Sequence, residues 1–168
     1  MKIAIISSSF YGFYEKALLQ NSIGQPANTQ QEILPFINEI FKERFSVDAF
    51  KFKDCNIAFA CVPGALEIPQ AINWFLSLQK FDGILALGCV IKGKTTHFEH
   101  VCNEVMHGIT NLSLNSGVPI TSAIVTAFND EDAYERVVLN GKNLGKKAME
   151  ALVQMIELKK KITETEIL

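Results

Sequence analysis

The chain lacks most of the features that mark specialised protein classes. It has four cysteines, Cys55, Cys61, Cys89 and Cys102, with no CxxC pair and no metal-ligand spacing. A disulfide scaffold and a zinc module are therefore not expected, and the two cysteines inside apolar runs read as buried thiols. There is no charge excess: charged residues make up 20% of the chain and the formal net charge is -2. Such a balance leaves no electrostatic footprint for nucleic acid or for an anionic membrane surface. No apolar run approaches the roughly 20 residues of a membrane-spanning helix. Lys2 leads straight into IAIIS and then polar serines, which is not a signal-peptide pattern. No internal repeat is visible. The expectation is a cytoplasmic protein of one domain, residues 1–168, with a small-molecule partner, no nucleic acid and no membrane.

What is present is alternation. The runs KIAIIS, NIAFACV, GILALGCVI and PITSAIVTA are short and rich in Ile, Val and Ala, and longer segments with helical spacing separate them. This predicts an α/β fold with a four-stranded parallel sheet and helices on both faces. The helical segments are ILPFINEIFKERF, ALEIPQAINWFLSLQ, FEHVCNEVMHGITNLSLN, DEDAYERVVLN and KNLGKKAMEALVQMIELKKK. Residues 21–31 lack an apolar period and read as an inserted loop, and the charged tail after Glu157 is expected to fray. In open sheets of this kind ligands bind at the carboxyl ends of the strands. That places Ser7 to Tyr11, Val62 to Glu67, Gly93 to His97 and Thr126 to Asn129 on one rim.

One segment on this rim matches a phosphate-loop pattern. Gly88 to Thr95 reads GCVIKGKT, with His97 two positions further on. A true phosphate loop must curl between its glycines so that backbone N–H groups surround a polyphosphate. Val90 and Ile91 are β-branched and prefer extended backbone, so the strand is expected to run to Ile91. The turn then shrinks to Lys92 through Thr96, and Thr95 or Thr96 becomes the N-cap of the next helix. An anion at that helix start, beside His97, predicts a modest phosphate site. A helix N-terminus disfavours a cation, which leaves the His97 imidazole as a proton acceptor. A nucleotide-hydrolysing reading would need an acidic magnesium ligand at another strand end, and Asp130 is a poorly placed candidate.

Other rim residues have two readings each. Pro63-Gly64 makes a tight turn that puts Glu67 in a first helical turn, either as a dipole-favoured helix-start residue or as a ligand group. Phe10 is either a core plug or an exposed stacking platform. Arg136 is either a solvated helix residue or a planar fork for two phosphate oxygens. Lys142, Lys146 and Lys147 read as surface charge, and His100 and His107 as solvated or packing residues.

VPGALEIP, LGCVIKGKTTHFEHVCNEVMHGI, the strand beginning at Pro119, and AYERVVLNGKNLGKKAMEAL together resemble lumazine synthase, in order and in spacing. The similarity covers Lys2 to Tyr11 and Val62 to Glu157, whereas Gly12 to Ala60 matches poorly. The resemblance implies a flavodoxin-like three-layer sandwich and a homo-oligomer, a pentamer with active sites between subunits. It also implies no cofactor and no metal. The reaction it implies condenses 5-amino-6-(D-ribitylamino)uracil with 3,4-dihydroxy-2-butanone 4-phosphate to give 6,7-dimethyl-8-ribityllumazine, a step of riboflavin biosynthesis that releases phosphate.

By this resemblance His97 transfers protons, Gly93, Lys94 and Thr95 hold the phosphate, and Arg136 reaches it from the neighbouring subunit. Phe10 stacks on the pyrimidine, Glu67 binds the ribityl chain, and Val90 and Ile91 offer backbone contacts to the heterocycle. The chain departs from the family pattern around the pyrimidine and ribityl pocket. Ser9-Phe10-Tyr11 replaces Arg-Phe-Asn, Leu66 replaces an aromatic, Ser122 replaces a phenylalanine, and Leu144 follows Asn143 where a lysine is usual. Lys142 or Lys146 is a candidate to substitute for that lysine. No extension precedes the first strand, so a pentamer is expected rather than a shell. The pocket changes motivate an alternative expectation, a catalytically impaired homologue that binds a lumazine or flavin.

Overall fold

Val and Ile at alternate or successive positions favour extended backbone, small Ala between them lets both faces pack closely, and the four apolar runs do form strands. The computed structural model describes residues 1–24, 41, 46–52, 54–78, 80–138 and 142–165. Strands β1 (Lys2–Ser8), β3 (Cys55–Val62), β4 (Gly83–Ile91) and β5 (Ile120–Ala127) fall on those runs, and β2 (Ser46–Phe52) joins them. The sheet order is β2-β3-β1-β4-β5. Five helices follow in chain order: α1 (Phe13–Ile23), α2 (Ile68–Leu78), α3 (His97–Ser116), α4 (Asp130–Val137) and α5 (Leu144–Glu164).

The sheet corrects the four-stranded parallel expectation. Strands β1, β3, β4 and β5 are mutually parallel, but β2 pairs with β3 antiparallel, making a five-stranded mixed sheet. Two residues separate Phe52 from Cys55, far fewer than the dozen or so of a parallel crossover, so the chain must turn back on itself. SVDAFKF carries no strand signature of its own, because an edge strand need not be apolar throughout. Val47 is 75% exposed, while Phe50 packs toward the core.

Both faces of the sheet are covered. On one, β-strand residues such as Ile5, Phe59, Leu85 and Val125 meet Leu18 and Leu19 of α1, Val137 of α4 and Leu152 and Ile156 of α5. On the other, Ile6, Ile84 and Ala86 meet Ile68 and Ile72 of α2 and Val101, Val105 and Ile109 of α3. Helices α1 and α5 pack so closely that a Cβ on Gly145 would collide with the Leu18 carbonyl. Glycine is there for proximity.

One further expectation fails. Helix α1 was not expected, and it takes in Asn21, Ser22 and Ile23, three residues read as the start of a loop. Its apolar residues include three aromatic or aliphatic types with polar Glu15, Asn21 and Ser22 buried among them, so no clean stripe marks it. Helix α5 runs through Glu164, and residues 166–168 of the tail expected to fray lie outside the described residues. The expected ILPFINEIFKERF helix and the rest of the 21–31 loop lie outside the described residues, apart from Gly24 and Phe41.

Candidate functional site

Strand β4 outlasts its neighbour β1. Its register with β1 ends at Leu87, while its pairing with β5 continues to Ile91 opposite Ala127. Lys92 N–H still donates to the Ala127 carbonyl, at 2.9 Å. Gly88 to Ile91 are therefore strand and cannot curl around a polyphosphate, as the β-branched pair predicted. The chain leaves the sheet at Lys92, turns, and enters α3 at His97.

Where β1, β3 and β4 end, a cavity of about 470 Å³ opens between the following segments. Its walls come from Phe10 and Tyr11 after β1, Pro63 to Glu67 after β3, Cys89 to Ile91 at the end of β4, and Gly93, Thr95, His97, Phe98 and Val101 beyond. That size suits a small heterocycle with substituents. Three of the four rim segments predicted from strand order thus meet in a concave site, whereas Thr126 to Asn129 is not among its walls. Phe10, Leu66, Glu67, Val90, Ile91, Gly93, Thr95 and His97 are all brought to it.

Each wall has a local cause. His97 opens α3 and is exposed, with Thr96 at the cap position. The Thr96 hydroxyl makes no capping bond, and Thr95 Oγ1 accepts from His97 N–H at a long 3.4 Å. First-turn N–H groups of a 20-residue helix are thus left facing the turn. Lys92 Nζ binds Glu99 Oε1 at 2.7 Å and lies 5.9 Å and 5.6 Å from the ring centroids of Phe98 and Phe128. This ties the turn to the first turn of α3. The Lys92 ammonium, through its hydrogen bond, holds the Glu99 carboxyl below its usual range.

Glu67 stands in a first helical turn, as expected, but that turn is a 3-10 turn rather than an α-helical one. It closes a 3-10 turn, Ala65–Glu67, that precedes α2, because the chain meets Pro69 only one residue after Ile68. The carboxylate sits over Gly64, where a Cβ would lie 2.9 Å from Oε2.

Phe10 is 66% exposed, which makes it a platform rather than a core plug. Beneath it lies a polar cluster that has no signature in the sequence. Ser8 Oγ donates to Glu15 Oε1 at 2.9 Å, and both residues are fully buried. Burial raises the Glu15 carboxyl above its usual range, and its Oε2 has no partner within the described residues. Tyr14 donates to Asp130 Oδ1 at 2.8 Å, and its own burial, ahead of this bond, pushes the phenol up to about 12. Asp130 is therefore engaged structurally. Glu15 in YEKALL looks like a solvated helix residue, and only its place against β1 reveals otherwise.

Lys94, Arg136 and Ser122 do not line the cavity. Lys94 is exposed in the turn between two residues that do. Arg136 lies in the last turn of α4, where Nη1 donates to the Asp132 carbonyl at 2.9 Å. Ser122 lies opposite Ala86 in β5, five residues before the strand's end, and its Oγ accepts from Ile124 N–H at 3.2 Å. Lys142 and Lys146 sit near Glu135 and Glu150, at 3.8 Å and 3.7 Å. Among the described residues no group of His, Cys, Asp and Glu could hold a metal ion, and no helix is long and apolar enough to cross a membrane. Burial pushes the thiols of Cys61 and Cys89 up to about 11 and about 12, so neither is a ready nucleophile.

Comparison with known proteins identifies a family. The family model described as 6,7-dimethyl-8-ribityllumazine synthase matches residues 42–160. A protein of that name from Methylobacillus flagellatus is 44% identical over 109 residues, 65% of this chain and 70% of its own. One from Limosilactobacillus reuteri is 42% identical over 112 residues, 67% of this chain and 74% of its own. One from Campylobacter jejuni is 33% identical over 152 residues, 86% of this chain and 99% of its own. With the family match running from β2 into α5 and across most of the cavity's walls, the chain belongs to the 6,7-dimethyl-8-ribityllumazine synthase family.

Proposed function

We propose that this chain condenses 5-amino-6-(D-ribitylamino)uracil with 3,4-dihydroxy-2-butanone 4-phosphate to 6,7-dimethyl-8-ribityllumazine, as a transferase of riboflavin biosynthesis. The observation that carries this is the convergence, in one cavity, of an exposed aromatic, a carboxylate and a histidine beside an anion-ready helix start. Phe10 stacks on the pyrimidine. Leu66, Glu67, Val90 and Ile91 surround the heterocycle and the ribityl chain. Gly93, Lys94 and Thr95 hold the phosphate. The aryl amine attacks the butanone carbonyl and a first water leaves to form an imine; phosphate is then eliminated, and the ribityl-bearing nitrogen attacks the remaining carbonyl, closing the ring with loss of a second water. His97 carries protons in these steps. Phosphate departs as an anion, so donors aimed at it stabilise the charge that builds.

In this reading Arg136 completes the phosphate site of a neighbouring subunit within a homopentamer, in the cytoplasm. Phe13, Phe128 and Tyr134 support such an interface, being 57%, 71% and 53% exposed near the same rim. Phe13 and Tyr134 stack with centroids 6.2 Å apart, and exposed apolar groups of this kind mark association surfaces. The relatives are named as synthases, so the binding-only alternative is not favoured. The test is to mix purified protein with both substrates and follow lumazine fluorescence, with His97→Ala and Arg136→Ala alongside. Turnover lost in both variants while the oligomer persists is the expected result. Absence of product from the wild type would overturn the assignment.

A further inference from the structure

Backbone N–H groups alternate between the two sides of a strand. Lys92 N–H points toward β5, so Ile91 N–H points toward the β1 side. There β1 has already ended, and the Ile91 donor faces the cavity without a ladder partner. Tyr11 fills that gap. Its phenol oxygen accepts Ile91 N–H at 3.3 Å.

The ring is held from several directions. Phe10 meets it edge-on at 5.0 Å and Tyr14 at 5.8 Å. Tyr11 N–H points at Glu15 Oε1 across 3.5 Å, the same oxygen that accepts Ser8 Oγ. The phenol oxygen is spent as an acceptor, whereas its proton finds no acceptor among the described residues. Burial raises the phenol above its ordinary value, so the proton stays in place across the neutral range.

We propose that Tyr11 is a specificity-determining residue: it carries the Ile91 N–H donor outward, presenting its own O–H to a carbonyl oxygen of the bound heterocycle. The inference rests on the proposed function for the identity of that ring. A phenol that receives an N–H is the better donor for it, since the two bonds polarise one another. A ring with an amino group in place of the carbonyl would set donor against donor and be rejected. Glu15 acts here as a positioning residue through the Tyr11 backbone.

The test compares wild type with Tyr11→Phe, which keeps the ring contacts to Phe10 and Tyr14. Titrating 6,7-dimethyl-8-ribityllumazine by its fluorescence should give a Kd about five- to tenfold weaker in the variant. In turnover, KM for the aminouracil should rise by a similar factor, while KM for the butanone phosphate moves less than about twofold. Equal or tighter lumazine binding by Tyr11→Phe overturns the proposal, because the phenol would then merely shield Ile91. A second measurement needs no variant. Wild type should bind a ribitylaminopyrimidine bearing an amino group in place of a ring carbonyl at least about tenfold more weakly, and equal binding also overturns the proposal. A wild type that binds the lumazine but forms none removes the condensing function, and the Kd ratio still decides the role of Tyr11.

Discussion

Ser8, the last residue of β1, donates its hydroxyl to Glu15 of α1 across 2.9 Å in a fully buried contact. This bond joins the central strand to the helix beside the cavity, and it leaves one carboxylate oxygen of Glu15 without a partner among the described residues. The arrangement places a titratable group under the pocket wall and gives it a pH-dependent cost.

Burial raises the Glu15 carboxyl in the folded state. A raised carboxyl contributes stability that is fully present below its unfolded value and is lost as pH rises through the folded one. Glu15→Gln has no charge to bury and should melt higher than wild type at neutral pH. The gap should close as pH falls below the ordinary carboxylate range. Melting curves at several pH values check this, and a gap that widens on acidification would contradict it.

Tyr14 links α1 to the start of α4 through Asp130, by a hydrogen bond to a charged group. Tyr14→Phe keeps the ring contacts with Tyr11 and Phe13 and should cost about 1–2 kcal/mol of stability. Denaturant unfolding measures it. A change below about 0.3 kcal/mol would show that water replaces the bond at no cost.

Gly145 sits against the Leu18 carbonyl and Ser22 Oγ. Gly145→Ala gains helix propensity but must force α5 away from α1, a backbone movement worth about 1–3 kcal/mol against the fold. A lower denaturation midpoint is expected. A midpoint equal to or above that of wild type would mean the two helices separate freely.

His97→Ala should lower turnover by about 10²- to 10⁴-fold, the usual share of a proton-transferring side chain. The residue is exposed and opens a helix, so melting temperature should hardly move. Turnover within about threefold of wild type would put proton transfer elsewhere.

The four parallel strands and the rim they define were readable from residue type, because β-branched runs have few other places to go. The same preference showed that GCVI was strand and that the phosphate turn begins at Lys92, as the pairing of Gly88 to Ile91 with β5 bears out. Strand β2 was not readable. Its exposed Val47 breaks the link between hydrophobicity and burial, and its direction follows from the short connection to β3 rather than from composition. Helix α1 was hidden for a related reason: it buries Glu15, Asn21 and Ser22 along with its apolar residues, so periodicity carried no signal. Residue chemistry settled what each segment could become. The sheet's uneven strand lengths decided the rest, since β4 running past β1 exposes Ile91 N–H, draws in Tyr11, and turns a row of strand ends into a pocket with a donor at its floor.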